Sequence, residues 1–364
     1  MVNALEQWPS RNLLLSALGT ETDVIFLEES DPALGQWRTP RPVMEKVDDR
    51  IFVMRDAGSV RRSRKRRLLE PLDRPLERRR LAREFNRWGF DDYLLWLTVP
   101  DLALRARLPS DVLVYDCMDP NFVPERQREH DRALDSVGRE ADIVFCSAHA
   151  LLDRMSQVSR ACELLPNATE PAAMALRPQL AKAWRDRLGL SERPIAGYLG
   201  TLDWRVDSSL LDVAAGLPDV DFVIAGRVNA DQEELARRLR ALPNVRLPGQ
   251  VGYEDGYALN ELFDVALIPF TPGPMNDCVN SVKMFMYLAA GTPVVSTDLR
   301  ESRLNEWVAA TTTVDEMRAA ILSALEKDGP ELRTARRTFA AQNTWQIRAR
   351  QAWELLVAAG LTTS

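Results

Sequence analysis

The chain has 364 residues, 46% of them hydrophobic and 27% charged, with a formal net charge of −6. This composition excludes a disordered chain, and the length is enough for two hydrophobic cores rather than one. No apolar run approaches the roughly 18 residues of a membrane span, and no leader of basic, apolar and then small residues opens the sequence, so a cytoplasmic protein is expected.

The four cysteines, Cys117, Cys146, Cys162 and Cys278, lack CxxC spacing and sit in or beside apolar segments, which favours buried free thiols. With only two histidines, His130 and His149, a histidine metal cluster is not expected, and no metal is assigned.

In chain order, "DVIFLEE" (23–29), "YLLWLTV" (93–99), "DVLVYDCMD" (111–119) and "ADIVFCSA" (141–148) read as buried strands. Between the first two lies a strongly basic stretch: residues 50–90 carry fourteen Arg/Lys against five Asp/Glu. Its densest part is "RRSRKRR", with Arg61, Arg62, Arg64, Lys65, Arg66 and Arg67. The following "LERRRLAREFNRW" spaces Leu81, Phe85 and Trp88 at i, i+4, i+7 beside Arg79, Arg83 and Arg87. A basic helix with that apolar side suits an anionic membrane surface. The same pattern is also that of an ordinary packing helix with a solvated arginine face.

"ELLPNATEP" (163–171) has the prolines and asparagine of a connector. The strand pattern then restarts with "PIAGYLGTL" (194–202), "DFVIAGR" (221–227), "NVRLPGQV" (244–251), "DVALIPF" (264–270) and "TPVVST" (292–297). Strands alternating with helical segments predict an α/β fold of two doubly wound domains. The boundaries are an N-terminal domain at 1–168, a connector at 169–193, a second domain at 194–342 and a final helix at 343–364.

Ligands of such sheets bind beyond the carboxyl ends of the strands. In the loop 197–205, Gly200 can let a ligand approach the backbone, Thr201 follows it, and Arg205 offers a forked donor to phosphate. In the loop 271–281, Asn280 or Ser281 is the N-cap of a helix beginning at Val282. Lys283 stands in that helix's first turn, where the dipole disfavours a cation by about 0.3–1 kcal/mol unless an anion compensates. Its placement favours a phosphate site over a solvated lysine.

The order strand, "IPF", Pro/Gly loop, "NSVKMFMYLAAGTPVVST" resembles the donor-binding segment of GT-B glycosyltransferases, in particular the family 4-like bacterial enzymes of surface-polysaccharide assembly. Their pattern runs approximately P-x-K-x-[YF]-E-Y-L-A-x-G-x-P-V-V. "VYDCMD" with "ADIVFCSAHAL", "LLPNATEP", "LPNVRLPGQVGYEDGYALNELFDVALIPF" and the terminal "NTWQIRARQAWELL" are similar to further family segments in the same order. There is a looser likeness to the xanthan glucuronosyltransferase.

The resemblance implies two Rossmann-like domains facing a cleft, with the last helix returning to the first domain. The implied activity is metal-independent transfer of a sugar from a nucleotide-sugar donor, UDP before GDP or dTDP, to a lipid-linked or polysaccharide acceptor. Lys283 would contact the diphosphate with Ser281 and adjoining amides, Arg205 would be a second contact, and the base would fall near Gly226, Arg227 and Gly249. Asp119 in "VYDCMDPNF" maps onto the aspartate regarded as the base in the xanthan enzyme, and it could equally cap the next helix. The one Asp-x-Asp, 219–221, sits at a strand entrance, where charge solvation or capping explains it.

Met286 departs from the pattern: many relatives carry a glutamate there that accepts hydrogen bonds from ribose, a role methionine cannot fill. Asp277 or Asn280 could hold the ribose instead. The alternative is a catalytically weak, nucleotide-sugar-binding assembly partner. A carrier-linked acceptor at the inner leaflet would give the basic stretch a peripheral membrane role, in preference to nucleic acid.

Overall fold

The computed structural model describes residues 9–28, 43–55, 70–102, 105–106, 108, 110–118 and 127–362. The chain divides into two compact units. One gathers residues 1–147, 151–165 and 346–364; the other gathers 148–150 and 166–345.

In the first unit, β1 (Val24–Glu28) runs parallel to β3 (Ile51–Arg55), which pairs antiparallel with β2 (Val43–Asp48). A second, wholly parallel sheet has the order β4 (Leu95–Leu97), β5 (Leu113–Cys117), β6 (Ile143–Cys146), β7 (Cys162–Leu164). β5 and β6 are buried at every position, as strands covered on both faces must be.

The β2–β3 hairpin lies in "VMEKVDDRIFVMR", where an exposed, charged strand with Met44 alone buried turns back into the apolar strand β3. It supplies Met44, Phe52 and Met54 to a core completed by Leu81, Phe85 and Leu108. This corrects the membrane-facing assignment of Phe85. The ring is 4% exposed and its side of the helix Glu70–Arg87 packs against Phe90 and Tyr93, a burial that contributes about 1.5–3 kcal/mol.

Trp88 lies one residue beyond that helix. Its indole N–H donates to Glu84 Oε1 at 3.2 Å and its ring meets Phe52 edge-on, so a large part of it is also spent within the unit. The opposite side of the helix does carry exposed cations, Arg78, Arg79, Arg80, Arg83 and Arg87. The cluster Arg61, Arg62, Arg64, Lys65, Arg66 and Arg67 lies outside the described residues, as does Asp119. Among the described residues no helix is long and apolar enough to cross a membrane.

The second unit is built on one six-stranded parallel sheet: β8 (Ile195–Leu199), β9 (Asp221–Ala225), β10 (Val245–Gly249), β11 (Val265–Ile268), β12 (Val294–Thr297) and β13 (Val308–Thr311). Its spatial order is β10-β9-β8-β11-β12-β13. Chain order therefore reverses between β8 and β11, which makes their carboxyl ends the switch point where doubly wound sheets bind ligands. The Asp-x-Asp lies at the other end of the sheet, where Asp221 is buried, pairs with Arg193 at 2.6 Å and accepts from Ser191 Oγ at 3.2 Å.

Candidate functional site

Two loops leave the switch point, and both belong to the second unit. The first follows β8 and is held in place by the backbone: Gly200 N–H donates to Ala225 O at 2.8 Å and Leu202 N–H to Arg227 O at 2.8 Å. The neighbouring loop after β9 is hung in turn on β10 by Gly226 N–H to Gly249 O, again 2.8 Å. Gly200, Gly226 and Gly249 all have positive φ, at 152°, 156° and 85°.

The first two glycines are required by close approach. A Cβ on Gly226 would lie 1.9 Å from the carbonyl oxygen of Gly200, and one on Gly200 would lie 2.2 Å from Cε of Lys283. Gly249 meets nothing within 4 Å, so only its conformation calls for glycine. Thr201 lies inside this interlock, and Arg227 is exposed at its edge.

The second loop follows β11 and enters the helix Val282–Ala290. Met284, Phe285 and Leu288 anchor the helix in the core, and Gly291, at φ 85°, closes it with N–H bonds to the carbonyls of Tyr287 and Leu288. Its carboxyl end is neutralised by two cations: Arg336 Nε donates to Gly291 O at 2.7 Å and Arg337 to Ala290 O at 2.9 Å. The amino end has no such compensation. The first turn holds no acidic residue, the N-cap Ser281 makes no side-chain cap bond, and the N–H groups of Val282 and Lys283 have no acceptor among the described residues. The helix thus presents an unmatched positive end at the switch point.

Lys283 adds its ammonium there. Its Nζ lies 5.7 Å from the ring centroid of Tyr198 and 5.4 Å from that of Phe270, and among the described residues no carboxylate comes within ion-pair distance of it. Burial, helped by the charge of Arg205 and opposed by that of Asp203, lowers its pKa to about 8. Arg205 stacks at 5.9 Å over the same Phe270 and forks onto Asp203, with Nε 3.0 Å from Oδ1. Burial alone would raise the Asp203 carboxyl, but its bonds to Arg205 and the nearby Lys283 charge hold it below its ordinary value.

Lys283, Arg205, Gly200 and Thr201 are therefore brought together as the sequence suggested. Asp203 was missed, although a carboxylate two residues before an arginine in a strand-end loop is a signal for such a fork.

Three further residues are engaged within the second unit. Asn280 is 5% exposed and engaged within the fold: its Nδ2 donates to Glu301 Oε2 at 3.0 Å and its Oδ1 accepts from Asn167 N–H at 3.0 Å. Met286 is half-buried against the core, its carbonyl accepting from Asn260 Nδ2 at 2.9 Å, which makes it a packing residue. His149 is bound to Glu301 through both its backbone N–H, at 2.8 Å, and its ring Nδ1, at 3.1 Å. Trp204 is 47% exposed beside Arg205, His130 is half-buried, and Asp277 accepts from Arg300 N–H at 2.8 Å.

Among the described residues no group of three or more His, Cys, Asp or Glu side chains is gathered as a metal would need. What the site offers is a cation, a guanidinium and, among the described residues, amides without an acceptor around glycine-lined backbone, the kinds of groups that match a polyanion in charge and hydrogen bonding.

Residues 193–327 match the family model for glycosyl transferases group 1. TuaH of Bacillus subtilis (strain 168), assigned as a teichuronic acid biosynthesis glycosyltransferase, is 27% identical over 280 residues, covering 71% of this chain and 70% of its own.

Among solved structures, sucrose-phosphate synthase from Thermosynechococcus elongatus aligns with a TM-score of 0.70 at 17% identity, over 96% of this chain and 92% of its own. Anabaena HepE in complex with UDP-glucose aligns at 0.63 and 18% identity, over 92% and 99%. The α,α-trehalose 6-phosphate synthase of Burkholderia multivorans aligns at 0.69 and 14% identity, over 100% and 98%. The fold is GT-B and the chain is a glycosyltransferase.

Proposed function

We propose that this glycosyltransferase moves a sugar from a UDP-sugar to a lipid-linked or polysaccharide acceptor in surface-polysaccharide synthesis, without a metal. The observation that carries the reading is the unpaired Lys283 ammonium beside the uncompensated amino end of its helix, at the switch point of the sheet. As the bond from the sugar's anomeric carbon to the diphosphate oxygen breaks, negative charge grows on the leaving diphosphate. Pre-placed N–H groups and Lys283 stabilise that charge with no reorganisation, the work otherwise given to a divalent ion. Arg205, half-exposed and steadied by Asp203, is the second phosphate donor, and the exposed Arg227 and Gln250 flank the place of the nucleotide base. UDP-glucose is bound in the HepE structure and the TuaH name carries teichuronic acid synthesis; both support the donor and acceptor classes proposed here.

Asp119 orients the acceptor hydroxyl or takes its proton, and the cluster Arg61 to Arg67, with the exposed arginines of the helix Glu70–Arg87, docks on anionic lipid at the inner face of the membrane. The test is release of UDP from a panel of UDP-sugars with and without EDTA. Turnover that persists in EDTA and is lost in Lys283→Ala and Asp119→Asn is expected; dependence on added metal, or full turnover in Lys283→Ala, overturns the proposal. Replacing Arg61, Arg62, Arg64, Lys65, Arg66 and Arg67 by serine is expected to release the protein from anionic vesicles. Met286 favours a second reading, a donor-binding assembly partner, which nucleotide-sugar binding without turnover on any acceptor would establish.

A further inference from the structure

The carboxylate of Glu301 is 7% exposed, close after β12, and among the described residues has no cation within ion-pair distance apart from the ring of His149. Three donors converge on it. His149 gives its backbone N–H and ring Nδ1 to Oε1, and Asn280 gives Nδ2 to Oε2. Asn280 is in turn gripped by Asn167, whose N–H donates to its Oδ1 at 3.0 Å and whose Nδ2 donates to its carbonyl oxygen. Asn280 immediately precedes Ser281, the N-cap of the helix that carries Lys283. Every polar atom of the Asn280 side chain is therefore used to fix the entry of that helix, and a buried carboxylate is an expensive partner to employ unless its position matters.

We infer that Glu301 is a positioning residue: acting through Asn280, and together with Asn167, it sets where the amino end of the Lys283 helix stands. The inference rests on the reading of that helix end as the donor-phosphate site. Oε2 of Glu301 accepts the only side-chain hydrogen bond that Nδ2 of Asn280 makes among the described residues, so removing that acceptor leaves the Asn280 side chain tied only to Asn167 and loosens the turn 280–282. The lowered pKa of Lys283 arises from burial, Arg205 and Asp203. Asn167→Ala leaves the Glu301 charge in place, so a Lys283 midpoint that moves in both Glu301→Gln and Asn167→Ala reports movement of the lysine rather than loss of a charge.

The variant is Glu301→Gln, which keeps an acceptor for the His149 N–H but turns a second donor toward Asn280. His149→Ala is the control, because it removes the ring while leaving the Asn280 bond. Lys283 is one of only five lysines, so its Cε resonance can be followed through a pH titration by NMR, alongside UDP affinity and melting temperature.

Glu301→Gln is expected to move the Lys283 midpoint by half a pH unit or more and to weaken UDP binding about tenfold. His149→Ala should leave both within twofold. Asn167→Ala should act in the same direction as Glu301→Gln and carries the test if that variant does not fold. A lower melting temperature with unchanged Lys283 midpoint and UDP affinity, or equal effects in His149→Ala, overturns the inference. If the wild type binds no nucleotide but the Lys283 midpoint still moves in Glu301→Gln and Asn167→Ala, the positioning role stands and the donor reading falls.

Discussion

The Lys283 side chain fills the space that a Cβ on Gly200 would occupy, its Cε lying 2.2 Å from that position. Gly200→Ala therefore forces Lys283 out of its seat between Tyr198 and Phe270, and it also places a side chain at φ 152°. A stability loss of about 1–3 kcal/mol is expected. UDP affinity should fall as far in Gly200→Ala as in Lys283→Ala, and calorimetric titration of both variants checks it. Unchanged affinity in Gly200→Ala would show that the ammonium does not act from this position.

The depressed pKa of Lys283 fixes the sign of a pH effect. Its folded value of about 8 lies below the roughly 10.4 of an unfolded lysine, so the unfolded chain binds more protons between those limits. Stability relative to Lys283→Met is expected to rise with pH across that window. Denaturant unfolding of both proteins in half-unit steps from pH 7.5 to 10.5 measures the difference; a flat or falling difference contradicts the burial of the amine.

Asp203 joins the two cations of the site. Its charge opposes the burial of Lys283, so Asp203→Asn is expected to push the Lys283 midpoint further down. The same change removes the anion that orients Arg205 through its fork. Lysine NMR reads the first effect, and a higher KM for the donor reads the second. A midpoint that stays or rises would show that the coupling is negligible.

Phe85 is a core ring, and Phe85→Ala should cost about 3–5 kcal/mol in chemical denaturation. Trp88→Ala, partly solvated, is expected to cost clearly less. Equal, small losses would return Phe85 to the surface assignment that its spacing first suggested.

The strands of the second unit were legible because each is a short apolar run covered on both faces, and β8, β9, β11 and β12 fall inside the segments quoted for them. β13 was missed: "VAAT" is four residues with two alanines, too weak to stand out. The helix 70–87 showed a true amphipathic period, but a period tells which side is apolar and never what covers it; the covering strands lay hidden in charged sequence.

At the site, Lys283 and Gly200 were readable because a cation at a helix start and a glycine at a strand end are local anomalies. Glu301 had no local signature, since its partners are 21 and 152 residues away in the chain. Asn280 is ambiguous for a related reason: an asparagine at a helix start can serve a ligand or the fold, and its bonds to Asn167 and Glu301 lie far off in the chain.

The backbone interlock between Gly200 and Gly226 also bears on how new donor preferences could arise. With the carbonyl of Gly200 seated where a side chain on Gly226 would be, Gly226 does not tolerate variation, and the two loops must drift together or stay still. Diversity that retunes the pocket has to come from residues outside the lock, chiefly the exposed Arg227 and Gln250 and the half-exposed Thr201. A randomised library confined to those three positions would sample donor selectivity on an intact frame, whereas one that included Gly226 would break the contact that holds the two loops together.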